Sequence, residues 1–206
     1  MSTFRTLILD LGDVLFTWSA ETTTAIPPRQ LKAIMDSPTW HDYERGRLAQ
    51  AAAYARVATE FAVPAAAVDE AFRQARGSLR ANGALLALVR DLKARRGLRV
   101  FALSNISRPD LDFVLALDTD WAVFDGVYGS AAIGERKPDR AAYERVLEDA
   151  DIDPATAVFV DDKLENVEAA KALGIHGIVF DKQEGVFAAL RKAFGDEVVE
   201  GAPESI

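Results

Sequence analysis

Four short motifs hold the residues of this chain that are fit for chemistry: Asp10-Leu11-Gly12-Asp13-Val14-Leu15, Ser104-Asn105, Lys137-Pro138, and Asp161-Asp162 followed by Asn166. They offer a carboxylate nucleophile, a hydroxyl anchor, a cation and a metal-binding acid, the parts of a metal-assisted phosphoryl-transfer site. A carboxylate attacks a phosphate dianion poorly unless a cation neutralises its approach, so Asp10 makes sense beside a magnesium site. Mg²⁺ takes one or two carboxylates, a carbonyl, waters and a substrate oxygen, which makes Asp10, the Gly12 carbonyl and Asp162 the candidate ligands. Gly12 to Leu15 would curl so that successive amides, those of Gly12 and Asp13 first, face the phosphoryl oxygens. Ser104 and Asn105 would donate to those oxygens, and Lys137 would offset charge on Asp10 and on the transition state. Asn166 lies one helical turn beyond Asp162, where, with Asp161, it would orient the metal-binding acid or hold its waters.

Each motif alone has a plainer reading. An aspartate before glycine ends many strands as a loop residue, Ser-Asn is a common turn or helix cap, and Lys-Pro often starts a helix. Asp161-Asp162 is less ordinary, because adjacent like charges at a buried edge cost energy unless a cation or hydrogen bonds compensate.

The elements that must position these residues alternate. Thr6–Leu9 is a short apolar run that stops at Asp10, and Leu98–Leu103, Val123–Val127, Ala157–Val160 and Gly177–Phe180 read as four further strands. Between them, Leu85, Leu88, Val89 and Leu92, and likewise Tyr143, Val146, Leu147 and Ala150, have helical spacing. The pattern predicts an α/β fold, a doubly wound parallel sheet whose ligand sits beyond the carboxyl ends of the strands. From about Phe16 to Gly83 the alternation stops, and an alanine- and charge-rich stretch without a convincing strand reads as a helical insertion. The expected division is a core of residues 1–15 and 84–206 with a helical cap of residues 16–83, lying over the strand ends as a lid. The tail from about Glu197 to Ile206 is expected to fray.

Composition narrows the class. The chain has 206 residues, half of them apolar, with 24 basic and 32 acidic side chains and a net charge of −8. That charge disfavours nucleic acid and anionic membranes as partners. No run approaches a membrane span and no secretory leader is visible, so the expected location is cytoplasmic. With no cysteine, any metal must be held by oxygen or imidazole. Of two histidines, His176 is expected to pack beside its strand, and His41 in the insertion could face substrate.

On these motifs the chain resembles the haloacid dehalogenase-like (HAD) superfamily, in the subfamily with a helical (C1) cap after the first motif. Gly134-Glu135-Arg136-Lys137-Pro138-Asp139 is similar to its third motif and Phe159–Ala170 to its fourth, while Tyr43-Glu44-Arg45-Gly46 resembles a segment of such caps. The resemblance implies a Rossmannoid core, a Mg²⁺ cofactor and a phosphatase that removes phosphate from a small phosphorylated metabolite through an aspartyl-phosphate on Asp10. Family phosphatases place an acid–base aspartate two residues after the nucleophile. Here that position is Gly12 and the acid has moved to Asp13. Asp13, His41 or Glu44 could substitute, or Asp13 could serve only to stabilise its turn.

Three alternatives stand beside this reading. Ser104–Asp110, Asp118–Trp121 and Gly174–Phe180 resemble HAD-like proteins of terpenoid biosynthesis, implying a prenyl or terpenyl (di)phosphate substrate. A missing acid at position 12 would also fit a catalytically weak binding or regulatory protein. A 2-haloacid dehalogenase is disfavoured, because Asp161 and Asp162 would repel a carboxylate substrate.

Overall fold

In the computed structural model, which describes residues 3–195, strand β1 (Thr6–Leu9) is buried along its whole length and ends at Asp10. The chain then leaves the sheet through β2 (Phe16–Thr17). It passes through helices α1 (Pro28–Met35), α2 (Pro38–Glu44), α3 (Gln50–Glu60) and α4 (Ala65–Gly77), and returns through β3 (Arg80–Ala81). From there it alternates: α5 (Gly83–Arg96), β4 (Arg99–Ser104), α6 (Arg108–Leu115), β5 (Gly126–Gly129), α7 (Ser130–Ile133), α8 (Arg140–Asp149), β6 (Ala157–Asp161), α9 (Leu164–Lys171), β7 (His176–Val179) and α10 (Gln183–Ala193).

Five strands form one parallel sheet in the order β5-β4-β1-β6-β7. Since β1 is central and the chain winds first to one side and then to the other, its carboxyl end is the crevice of a doubly wound sheet. The register aligns Leu9 with Ala102 of β4 and with Val160 of β6, so Asp10, Ser104 and Asp161 emerge together at one edge.

Alternation along each strand divides the core. Leu7, Leu9, Val100, Ala102, Val158 and Val160 face the layer containing α5 and α10. Ile8, Phe101, Leu103 and Phe159 face the layer of α8 and α9. Each fully buried aliphatic side chain contributes about 2 kcal/mol, so the sheet edge carrying the acidic residues rests on a strongly stabilised base.

The inserted helices have their own core, in which Trp40, Tyr43, Tyr54 and Phe72 pack ring against ring between Leu31, Ile34, Val57 and Val68. Ser37 caps α2 by accepting from the Trp40 amide, and Pro38 fits its first turn. Asn82 closes the insertion: it caps α5 through the Leu85 amide at 3.1 Å while its own N–H donates to the Leu15 carbonyl at 2.7 Å.

Some expectations change. The stretch between Phe16 and Gly83, read as strandless, contains the antiparallel β2–β3 pair, with Phe16 opposite Ala81 and Thr17 opposite Arg80. The strand expected at Val123–Val127 begins at Gly126, because Trp121–Val123 form a 3₁₀ turn. Asp125 instead binds β4 laterally, accepting from the Val100 N–H at 2.7 Å. His176 is exposed and lies against Phe4, with ring centroids 5.0 Å apart, rather than in the core. The tail expected to fray lies outside the described residues. Among the described residues no helix is long and apolar enough to cross a membrane.

Candidate active site

Lys137 is the hub of the sheet edge. Its side chain is 1% exposed, and its ammonium contacts Asp10 Oδ1 at 2.9 Å and Asp161 Oδ2 at 2.6 Å. Burial alone would lower its pKa, but the two carboxylates outweigh burial and the net shift is upward, so it stays charged. Asn105 fixes Lys137 by its backbone: the amide Oδ1 accepts from the Lys137 N–H and the amide nitrogen donates to its carbonyl, both at 2.8 Å. The side chain of Asn105 is thus engaged with the backbone that carries the lysine, while still lining the cavity.

Asp161 has no free side. Its Oδ1 accepts from Asn166 Nδ2 at 2.9 Å and from the Lys163 amide at 2.8 Å, while Oδ2 takes Lys137. Asp162, by contrast, makes no hydrogen bond among the described residues, and burial followed by the charges of Asp10 and Asp161 pushes its pKa up to about 6. Asp10 is also pushed up to about 6, with burial raising it and Lys137 opposing. The Ser104 hydroxyl ends β4, 5% exposed, at the floor of the same cavity.

The donor set fits a divalent cation. Carboxylate oxygens of Asp10, Asp161 and Asp162 lie within 4.8 Å of one another, and the buried Lys137 pairs with only the first two. Two unit charges at that distance repel by about 3 kcal/mol at an effective dielectric near 20. Asn166 Oδ1 is buried and accepts no hydrogen bond among the described residues, an oxygen suited to a metal-bound water. Hard oxygen donors of this kind suit Mg²⁺.

The loop after β1 is tight. Asp13 adopts φ 55° and its N–H donates to the Phe16 carbonyl at 2.7 Å, while Leu15 and Phe16 both donate to the Leu11 carbonyl. The exposed Asp13 carboxylate accepts from the Trp18 indole at 3.1 Å and lines the cavity. At Gly12 no atom of the described residues lies within 4 Å of where a Cβ would stand.

Over this edge lies a cavity of about 350 Å³ bounded by Asp10, Asp13, Ser104, Lys137 and Asp162 below and by Met35 and Glu44 of the insertion above. A second cavity of about 150 Å³ shares Gly12, Trp18, Met35, Glu44, Ser104 and Asn105 with it. Its remaining walls are mainly apolar, among them Phe16, Trp40, Phe72, Leu79, Ile106 and Val114. The two cavities therefore adjoin along shared walls, the larger lined mainly by charged and polar residues and the smaller mainly by apolar ones.

The insertion is fastened over it. Glu44 is 7% exposed, its Oε2 accepts from Arg136 Nε at 3.0 Å, and its carbonyl accepts from the Ser130 hydroxyl at 2.6 Å. Arg45 pairs with Asp139. On the other side Arg76 meets Asp110 at 2.8 Å. At Gly46, φ is +72° and a Cβ would stand 2.7 Å from the Ala131 carbonyl oxygen, so only glycine allows this approach. The Glu44–Arg136 pair was not foreseen from sequence. For Arg136 the neighbouring Lys137 was the one available signal, and His41 is not among the residues bounding either cavity.

Comparison with known proteins agrees with this geometry. A model of haloacid dehalogenase-like hydrolases matches residues 4–174. The chain is 37% identical over 194 residues to the sesquiterpene phosphatase astK of Aspergillus oryzae, spanning 94% of this chain and 98% of that protein. It is 40% identical over 199 residues to the drimenol cyclase drtB of Aspergillus calidoustus, covering 96% of this chain but 38% of the cyclase's length. Among solved structures, a HAD-family enzyme of Bacteroides thetaiotaomicron in complex with magnesium and inorganic phosphate superposes with a TM-score of 0.68 at 23% identity, over 89% of this chain and 99% of that one.

Proposed function

The chain belongs to the haloacid dehalogenase-like hydrolase family, and on that premise we propose that it is a Mg²⁺-dependent phosphatase of a small phosphorylated metabolite. The observation that carries the proposal is a cluster of three acids in which one buried lysine pairs with Asp10 and Asp161, while the third, Asp162, has no hydrogen bond among the described residues. Asp10, the Gly12 carbonyl and Asp162 would hold the ion, with Asn166 and Asp161 supporting them. When bound, the ion offsets charge between carboxylate and phosphate and stabilises the transferring phosphoryl group. An Asp10 oxygen attacks phosphorus and forms an aspartyl-phosphate, which water then hydrolyses. Ser104 donates to a phosphoryl oxygen, the Gly12 amide lines the anion's other side while the Asp13 amide, expected to join it, is held by the Phe16 carbonyl, and Lys137 keeps Asp10 ionised and neutralises developing charge. Asn105 holds Lys137 in place. Residues 16–83 act as the cap that excludes water from the site.

Within this reading, the substrate class best supported is a terpenyl phosphate. The apolar cavity adjoining the phosphoryl site offers an aliphatic chain a place to leave water, and a full-length relative is a sesquiterpene phosphatase. Phosphate release from farnesyl, geranyl, sugar and p-nitrophenyl phosphates, with Mg²⁺ and with EDTA, tests both levels. Terpenyl phosphates should be preferred, EDTA should stop release, and Asp10→Asn should abolish it without unfolding the protein. Full metal-dependent activity in that variant removes Asp10 as nucleophile, while preference for a sugar phosphate removes the terpenyl assignment alone.

A further inference from the structure

A phosphatase that expels an alcohol must protonate the leaving oxygen and later deprotonate water. Nothing at position 12 can do this. Among the described residues five acids line the larger cavity: Asp10, Asp13, Asp36, Glu44 and Asp162. Asp10 and Asp162 are occupied by nucleophile and metal duties in the reading above. Asp13 and Asp36 are exposed, and the Asp13 carboxylate is bonded to Trp18. Glu44 is buried, and it alone of the five also lines the apolar cavity. A substrate with its phosphate over Asp10 and its apolar part in the second cavity places the phosphorus–oxygen bond at the junction where Glu44 stands.

The geometry points to Glu44 as the general acid and base of the reaction, supplied by helix α2 in place of an aspartate at position 12. The inference rests on the phosphatase reading. As the Asp10 oxygen bonds to phosphorus and the ester P–O bond breaks, the leaving oxygen takes the Glu44 proton and departs as an alcohol. The Glu44 carboxylate then takes a proton from water as that water's oxygen attacks phosphorus. Cleavage of the Asp10–phosphorus linkage releases inorganic phosphate and returns Asp10 as carboxylate and Glu44 as acid.

The surroundings of Glu44 suit both states. Burial raises its pKa to about 7, against the opposing pull of Arg136 and, more weakly, Lys163 and a hydrogen bond from Trp40. Asp10 and Asp162 line the same cavity. An acid near 7 gives and takes protons readily at neutral pH.

The competing role for Glu44 is an ion pair that only clamps the insertion to the core. Measurement of kcat/KM, which covers steps up to the aspartyl-phosphate, separates the two with a simple alkyl phosphate and p-nitrophenyl phosphate in Mg²⁺. Glu44→Gln should lose about 100-fold on the alkyl ester but less than about tenfold on the aryl ester, whose nitrophenolate leaves without a proton. Arg136→Gln breaks the same pair and should keep the alkyl-to-aryl ratio within about threefold, since it leaves the proton donor in place. Equal losses on both esters in Glu44→Gln, or the same skew in Arg136→Gln, overturn the assignment. Should Glu44→Gln fail to fold, the unaltered protein still decides: alkyl kcat/KM should fall above pH 7 while aryl kcat/KM stays flatter, and parallel profiles overturn it. Hydrolysis of neither ester by the unaltered protein overturns the phosphatase reading itself, and the Glu44 role with it.

Discussion

Replacing Asp162 with asparagine should stabilise the metal-free protein, although it removes a group that the proposed reaction needs. Burial, then the neighbouring Asp10 and Asp161, lifts the Asp162 pKa from 3.8 to about 6. An acid with a higher pKa folded than unfolded binds more protons in the folded state between the two values. Stability therefore falls as pH rises through that window, and the whole penalty stands above about pH 6. The gap corresponds to about 3 kcal/mol. Because the group is only half-buried, solvent screening reduces this to about 1–2 kcal/mol. For a protein of this size 1 kcal/mol moves Tm by about 2–4 °C, so Asp162→Asn in EDTA at pH 7.5 should melt about 3–6 °C higher. The advantage should shrink at pH 4.5, where the native carboxyl is protonated. Mg²⁺ should reverse the order: at a hundred times Kd the unaltered protein gains about 2.7 kcal/mol, and the variant much less. Thermal melts with EDTA and with Mg²⁺ read both effects. A lower Tm for the variant in EDTA, or equal Mg²⁺ shifts in both proteins, would refute the argument that these acids are held in mutual repulsion.

Lys137→Met should destabilise the fold by about 3–5 kcal/mol near neutral pH, because it leaves Asp10 and Asp161 buried without their shared cation. Part of that loss should return as pH is lowered and the carboxylates take up protons, which urea titrations at pH 7.5 and 5 would reveal. Gly12→Asp should fold without penalty beyond about 1 kcal/mol, since the space above Gly12 is open. In a Glu44→Gln background it should restore at least about tenfold of the lost alkyl-phosphate kcat/KM by supplying a new proton donor. No recovery in a folded double variant would mean that an acid at position 12 cannot reach the leaving oxygen.

How much could be read in advance depended on how local the signal was. β1 and β6 are unbroken apolar runs ending in acids, because both faces of a central parallel strand are covered, so Asp10 and Asp161-Asp162 were legible at once. β5 was misplaced because Val123 and Phe124 contribute to the core from a turn and its flank, while the true strand, Gly126–Gly129, is only half-buried. A strand of two residues such as β2 is too short for any periodicity to register. The Glu44–Arg136 pair joins residues 92 positions apart, and no local pattern links them. The walls of the apolar cavity are the residue types of any core, so sequence could not tell a lining Phe72 or Ile106 from one that packs solidly.

The β2–β3 pair has a wider consequence. Because Thr17 and Arg80 are partners across one rung, the two ends of a four-helix excursion stand side by side. A short hairpin turn could bridge them and leave every strand of the main sheet in register. The segment that shapes the apolar cavity is thus a cassette, exchangeable without disturbing the lysine and its acids. Selectivity can accordingly change with the cassette while the lysine and its acids stay fixed, so long as each new cassette brings its own counterpart of Glu44.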